Sequence, residues 1–244
     1  MSTTLEHSHD AKAIGIRLAQ GPRSNYLRDF IYGAIDGAVT TFAVVAGVEG
    51  AHLSGAVVLV LGFANLIADG FAMAASNYSG TKADRDNYER VIDVERRHIA
   101  LVPDGEREEI RQIFAAKGFA GADLAQIVEL FTARPALWAR TMAMEEYGLS
   151  PTPRSPVFAG LTTFAAFILC GLVPLATYLV VGGLAPCVAA TAATFFCVGA
   201  MKSQWSLTTW WQSGFNTLVI GMSAAVLAFA VGFGLKTFFH VATA

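Results

Sequence analysis

Charge is scarce in this chain. Aspartate, glutamate, lysine and arginine make up 15% of its 244 residues, hydrophobic residues make up 54%, and the mean hydropathy is +0.49. An ordinary globular domain carries about 25% charged residues, so the composition argues for a polytopic membrane protein over a soluble one. A basic excess is missing too: the formal net charge is −2, which speaks against a nucleic-acid partner. There is no GxxxxGK[ST] phosphate loop, no GxSxG elbow, no HExxH and no cysteine-rich metal motif. ATP-driven pumping and covalent catalysis therefore have no support, no resident cofactor is implied, and the chain does not read as an enzyme. The three cysteines, Cys170, Cys187 and Cys197, fall in apolar segments without metal-ligand spacing and read as small buried hydrophobes. The N-terminus lacks the apolar core of a signal peptide. Residues 1–27 are expected to form a polar tail, with His7 and His9 part of it and not a metal site.

Long apolar runs are what the chain has instead. Five are long enough for the roughly 20 residues of a membrane-crossing helix: 29–49, 53–78, 156–181, 184–201 and 212–238. Glu49 to His52 and Gly182-Gly183 are short enough for tight hairpins. Between spans two and three the composition changes. Residues 79–154 hold eleven of the seventeen Lys+Arg and thirteen of the nineteen Asp+Glu, and only water can solvate that block. The expected fold is an all-α membrane protein, with spans at 28–78 and 155–244 and a helical extramembrane domain at 79–154 inserted between spans two and three.

Lysine and arginine set the orientation. Lys12, Arg17, Arg23 and Arg28 precede span one, the charged block follows span two, and Lys202 lies between spans four and five. With five spans these regions share one side, the cytoplasm. The opposite linkers carry no lysine or arginine, only Lys236 dissents, and the C-terminus then lies outside. The compact length and the absence of a targeting segment fit a bacterial inner membrane.

Two carboxylates, Asp36 and Asp69, lie well inside the first two spans, away from their ends, and no lysine or arginine falls within 29–49 or 53–78. An acid at that depth costs about 2.5–3.5 kcal/mol on insertion scales. Counted from Arg28 and Tyr78, both are roughly 12–14 Å from the cytoplasmic boundary at about 1.5 Å of rise per residue. Their helices are consecutive and antiparallel, so the two acids can face each other. Met73 follows Asp69 by one turn on the same helix face. One reading is a cation path in which Asp36 and Asp69 neutralise a dehydrating divalent ion and the Met73 thioether favours a transition metal over Ca²⁺ or Mg²⁺. The other is structural: the acids bond each other, Asn65 or backbone, and Met73 only packs. Gly33 and Gly37 form a GxxxG around Asp36, a close-packing signal.

The charged block reads as helices. Span two continues unbroken to about Leu101, and Pro103-Asp-Gly105 is a turn signal that stops it. A second helix starts at Glu106 and closes at Gly118, a third covers Ala122 to Thr132, and Pro135 opens a fourth that ends near Gly148. Pro151, Pro153 and Pro156 mark the return to the membrane. Glu95 with His98, and Glu106 with Glu109, are i, i+3 pairs on successive helices. Met142, Met144, Glu145 and Glu146 gather on the last. Carboxylates with one imidazole suit Fe²⁺, Mn²⁺ or Zn²⁺. The same glutamates can equally be a solvated face, ion-paired with Arg96, Arg97, Arg107 and Arg111.

At this point the residues resemble a known family. Arg28-Asp-Phe-Ile-Tyr-Gly-Ala-Ile-Asp36-Gly-Ala-Val-Thr-Thr is similar to the first-span signature of the vacuolar iron transporter (VIT) family. Ala68-Asp69-Gly-Phe-Ala-Met73-Ala-Ala-Ser-Asn-Tyr78 resembles its second-span motif, and Pro103-Asp-Gly-Glu106 its extramembrane turn. Gly171-Leu-Val-Pro174 and Ser213-Gly-Phe-Asn-Thr extend the likeness to the last span. The resemblance implies a homodimer of five-span subunits that moves Fe²⁺, and often Mn²⁺, out of the cytoplasm in exchange for protons. It implies a path lined by Asp36 and Met73, and a cytoplasmic metal site at Glu95, Glu106, Glu109 and Glu146 with Met142. His98 stands where the family has a glutamate, Ala143 where it has a methionine, and Asn77 and Asn216 where acids are common. Asp69 rests on geometry and not on the likeness. The bound metal is then a transiently held cargo. The alternatives are a non-transporting metal sensor or scaffold, and a carrier of another small cation.

Overall fold

The computed structural model describes residues 7–20, 24–50, 53–149 and 154–239. Every regular element among them is helical: α1 (Ala11–Gln20), α2 (Leu27–Gly50), α3 (Gly55–Leu101), α4 (Pro103–Ala116), α5 (Gly121–Thr132), α6 (Pro135–Glu145), α7 (Pro156–Val180), α8 (Leu184–Lys202) and α9 (Trp210–Phe239), with a 3₁₀ turn at Ser203–Trp205. The linker residues 51–52, Pro151 and Pro153, which carried turn expectations, lie outside the described residues, as does Arg23. The chain forms two compact units, Asn25–Gly80 with Pro156–Ala244, and Met1–Ser24 with Thr81–Ser155.

Among the described residues, five helices are long and apolar enough to cross a bilayer: Leu27–Gly50, Gly55–Leu101, Pro156–Val180, Leu184–Trp205 and Trp210–Val231. Their bundle turns large apolar side chains outward, among them Val60, Ile67, Phe71, Leu161 and Leu227, as a surface wetted by lipid requires. The interior is built on close contact between α2 and α7. A β-carbon added at Gly33 would stand 2.1 Å from the Thr163 carbonyl oxygen, and one at Gly37 would stand 2.3 Å from that of Phe167. The GxxxG of α2 is thus filled by the backbone of α7. Phe42, Val45, Leu66, Phe167 and Leu175 close the core around that contact. Gly182 and Gly183 both take φ of +77°, the left-handed turn that lets α7 reverse into α8 within a tight hairpin. Trp205, Trp210 and Trp211 are exposed together near the start of α9, as an interfacial belt would be.

Three details differ from expectation. Pro103-Asp-Gly105 is the first turn of α4 and not a turn before it. Proline at the first helical position sacrifices no bond, and the Gly105 and Glu106 amides donate to the Val102 carbonyl at 3.0 and 3.2 Å. Cys187 is buried and Cys170 half-buried, but Cys197 is exposed on the outer side of α8. The expected polar tail contains α1. Its start is fixed by Asp10, whose Oδ1 accepts from the Lys12 and Ala13 amides at 3.1 and 3.0 Å, the usual capping arrangement. Those bonds, with one from the Ser8 hydroxyl, hold the Asp10 carboxyl below its ordinary range.

In the second unit the C-terminal part of α3 packs with α4, α5 and α6. Ile110, Phe114, Val128, Trp138 and Met142 form one core cluster, and Val91, Ile92 and Ala143 a second.

The α2–α7 contact yields a prediction. Gly37→Ala should destabilise the protein by about 1–3 kcal/mol, the usual cost of overpacking, because only backbone stands in the way. Gly47→Ala, with nothing within 4 Å, should be neutral or slightly stabilising. Thermal unfolding in detergent, followed by tryptophan fluorescence, compares the two.

Candidate metal centre

In the membrane-spanning unit, α2 and the start of α3 face each other with polar groups at three levels. Nearest the start of α2, Asn77 Nδ2 donates to Asp29 Oδ1 at 2.8 Å. In the middle, Asp69 lies within electrostatic reach of Asp36. One turn further along α2, Asn65 Nδ2 donates to Thr40 Oγ1 at 3.3 Å, and that hydroxyl donates to the Asp36 carbonyl at 2.8 Å. The residue numbers run up α2 as they run down α3, so these are rungs of one antiparallel pair.

The sequence-derived path residues sit on this ladder, each in a different environment. Asp36 and Met73 are half-buried, and Met73 packs against the core. Asp69 is exposed on the single chain, beside the small residues Ala68 and Ala72. Asp29 is buried, 1% exposed, and sequence reasoning missed it because its neighbour Arg28 marks a membrane boundary. Asn77 also donates to Thr163 Oγ1 at 2.7 Å and the Ala159 carbonyl at 3.3 Å, so the amide ties α2, α3 and α7 together. A carboxylate at position 77 could not donate to Asp29 unless protonated, which gives the asparagine a physical reason.

In the second unit two carboxylates take core-facing positions. Glu95 continues the apolar row Tyr88, Val91, Ile92 toward Ile99 on α3, and Glu106 heads the row Ile110, Ile113, Phe114 on α4. Glu95 is 1% and Glu106 4% exposed. Both oxygens of Glu95 and Oε2 of Glu106 are buried with no hydrogen-bond partner among the described residues. A buried carboxylate in that state needs a proton or a cation. His98 Nδ1 lies 3.3 Å from Glu106 Oε1. One ligand atom from each of Glu95, His98 and Glu106 falls within 4.8 Å of the others. With metal–ligand bonds of about 2.0–2.2 Å, neighbouring ligand atoms of a tetrahedral site lie about 3.5 Å apart, so the three must draw together to share one ion.

Two further carboxylates bear on this group. Burial pushes the Glu106 carboxyl up to about 7, with Glu109, Glu95 and Glu146 adding repulsion. Glu146 is raised as well, by burial first and then by Glu109 and Glu95, with His98 opposing. Tyr147, which sequence reasoning did not single out, is pushed up to about 12 by burial and by Glu95 and Glu146. Glu109 and Glu146 are exposed, so the group is open to water on one side. Met142 is fully buried in the core cluster with Ile110 and Trp138.

The remaining acids behave as a solvated face. Asp86, Glu89, Asp93, Glu108 and Glu145 pair with Lys82, Arg85, Arg96, Arg111 and Lys117. Arg111 and Gln112 hold Glu108 down to about 2. None of the ion pairs among the described residues joins Glu95, Glu106, Glu109 or Glu146 to a lysine or arginine. The block therefore has an outer face of ion-paired acids and, apart from it, carboxylates that no lysine or arginine pairs, with His98 beside Glu106; carboxylates with an imidazole are donors that suit Fe²⁺, Mn²⁺ or Zn²⁺.

A sequence model of the VIT family matches residues 27–233. Vacuolar iron transporter 2 of Oryza sativa subsp. japonica is 33% identical over 210 residues, 84% of this chain and 85% of the relative. Vacuolar iron transporter 1 of Arabidopsis thaliana is 30% identical over 210 residues, 84% of each. The vacuolar iron transporter of Toxoplasma gondii (strain ATCC 50861 / VEG) is 35% identical over 162 residues, 64% of this chain and 53% of the relative.

The raised Glu106 carboxyl fixes a sign for pH. Between its ordinary value of 4.5 and about 7, the folded state holds a proton that the unfolded state releases. Metal-free stability should therefore fall as pH rises through that window. A divalent metal displaces the same proton, so its affinity should rise over the same range, with proton release. Titration calorimetry of the full-length protein with Mn²⁺, in buffers of different ionisation heat, measures both. Glu106→Gln should weaken binding by tenfold or more and flatten the pH dependence of unfolding.

Proposed function

This chain belongs to the VIT family, a family of transporters and not of enzymes, and we propose that it is a secondary transporter carrying Fe²⁺ and Mn²⁺ out of the cytoplasm in exchange for protons. The observation that carries this reading is the pair Asp36 and Asp69, which stand at one level of the antiparallel helices α2 and α3, between the Asp29–Asn77 and Thr40–Asn65 rungs, inside apolar spans. No lysine or arginine lies between Arg28 and Lys82, so neither acid has a basic residue of its own helix at its depth. Carboxylates of this kind hold either a divalent cation or protons, so one group serves the outgoing metal and the returning H⁺. The Met73 thioether, one turn from Asp69, adds a donor that favours softer transition metals over Ca²⁺ and Mg²⁺.

On this reading Glu95, His98, Glu106, Glu109 and Glu146 collect the metal from the cytoplasm. Glu95 and Glu106 supply buried oxygens, His98 a nitrogen, and the two exposed glutamates attract the ion from water. Met142 lends a sulfur only if the core around it opens. The N-terminus and residues 79–154 are cytoplasmic and the C-terminus lies on the other side, as the lysine and arginine distribution supports. The relatives are named as vacuolar transporters. In a vacuolar or a plasma membrane the direction is the same, away from the cytoplasm.

The working unit we propose is a homodimer. Asp69 is exposed on one chain, and the small residues Ala72 and Ser76 are exposed on the same side of α3. Left against lipid, that carboxylate bears the full cost of burial in hydrocarbon. Small residues let a second copy approach closely and enclose the acid between two subunits.

Asp36→Ala should abolish the protection that the wild-type protein gives to cells grown in toxic Fe²⁺ or Mn²⁺, while membrane abundance stays unchanged. Undiminished protection by that variant would remove Asp36 from the path.

A further inference from the structure

We propose that α1 is a membrane-surface anchor, lying along the leaflet from which α2 descends, with its apolar side among the acyl chains and its basic residues on anionic lipid phosphates. The helix is ten residues long and none of its residues is buried. Leu18 is 70% exposed and Ile14 half-buried, while Ile16, 52% exposed, lies on the opposite side of the helix. Ala11, Ile14, Gly15 and Leu18 fall on one side at the i, i+3, i+4, i+7 spacing, and Lys12 and Arg17 flank it. A helix this short is marginal in water by itself. The Asp10 cap starts it, but a surface must cover its apolar side to keep it folded.

The occupant follows from charge and from chain continuity. From Ala11 to Arg28 the sequence carries Lys12, Arg17, Arg23 and Arg28 and no acid. That pattern complements a negatively charged leaflet and opposes a cationic partner. Six residues after Gln20 the chain enters α2, whose start has interfacial character. Tyr26 packs on Phe158 with ring centroids 6.1 Å apart. The Arg28 guanidinium lies 5.1 Å over the Tyr32 ring and donates to its hydroxyl at 2.9 Å. Aromatic and basic side chains of this kind mark the headgroup level, so α1 is tethered within a few residues of the surface that suits it. Basic amphipathic helices bind such surfaces by burying an apolar side while the charges stay at the headgroups.

The test is spin-label accessibility in the full-length protein reconstituted into phosphatidylcholine vesicles with and without phosphatidylglycerol. Cys170, Cys187 and Cys197 are first replaced by alanine, and a label is then placed by Leu18→Cys or, separately, by Ile14→Cys. Lipid burial gives high collision with oxygen and low collision with a water-soluble nickel chelate. That pattern is expected at both positions in vesicles containing phosphatidylglycerol. It should be lost when Lys12→Glu and Arg17→Glu are added. Low collision with both reagents would mean that protein covers α1, either a second copy or another part of this chain, and would overturn the proposal. Dominant collision with nickel would mean that α1 faces water, and would overturn it equally.

Discussion

A carboxylate removed from water must be given a proton, a cation or a full set of donors, and this protein is organised around carboxylates that receive no lysine or arginine. The deficit occurs twice, by two different routes. In the spans Asp36 and Asp69 stand at the same level of two antiparallel helices, with no lysine or arginine between Arg28 and Lys82. In the helical unit Glu95 and Glu106 occupy core positions on α3 and α4 and retain buried oxygens without partners. Asp29 shows the contrasting solution, since Asn77 supplies a fixed donor that needs no exchangeable ion. The difference between a satisfied acid and an unsatisfied one separates scaffold from site.

Packing makes this organisation possible. Gly33 and Gly37 bring α2 against the backbone of α7, and the Asn77 bonds to Asp29, Thr163 and the Ala159 carbonyl fasten α3 to the same pair. With α2 held on that side, Asp36 is turned toward α3 and stays half-buried. In the helical unit, α4 starts one residue after α3 ends. Glu106 then comes back within reach of Glu95 and His98, and the apolar clusters on either side fix the spacing.

Much of this was legible in the chain. Five apolar runs and one charged insertion define the helices, because a bilayer demands about 20 apolar residues and charge demands water. The continuity of α3 was readable from the absence of any breaker before Pro103. Glu95 and Glu106 were readable as candidates, and a stricter helical-wheel reading would have found them interrupting apolar rows. What sequence could not give was azimuth and distant partnership. Depth along α3 places Asp69 beside Asp36, yet not that it is exposed on a single chain. The GxxxG of α2 signals a close neighbour, but that neighbour is α7, more than a hundred residues away. Asp29 was hidden by Arg28, whose charge suggested a boundary and not a buried acid. The Asp10 cap, which turns an expected polar tail into α1, was present in the sequence as Asp followed by a short apolar repeat.

On the proposed mechanism a divalent transition metal crosses through the paired acids in exchange for protons. The most direct measurement of this exchange is flux in proteoliposomes containing the purified protein, with a metal-sensitive dye and a pH-sensitive dye trapped inside. External Fe²⁺ or Mn²⁺ should enter, protons should leave as it does, an imposed proton gradient of the right sign should accelerate entry, and Ca²⁺ and Mg²⁺ should be excluded. Metal binding without flux, or flux indifferent to both the proton gradient and the Asp36→Ala substitution, would contradict it.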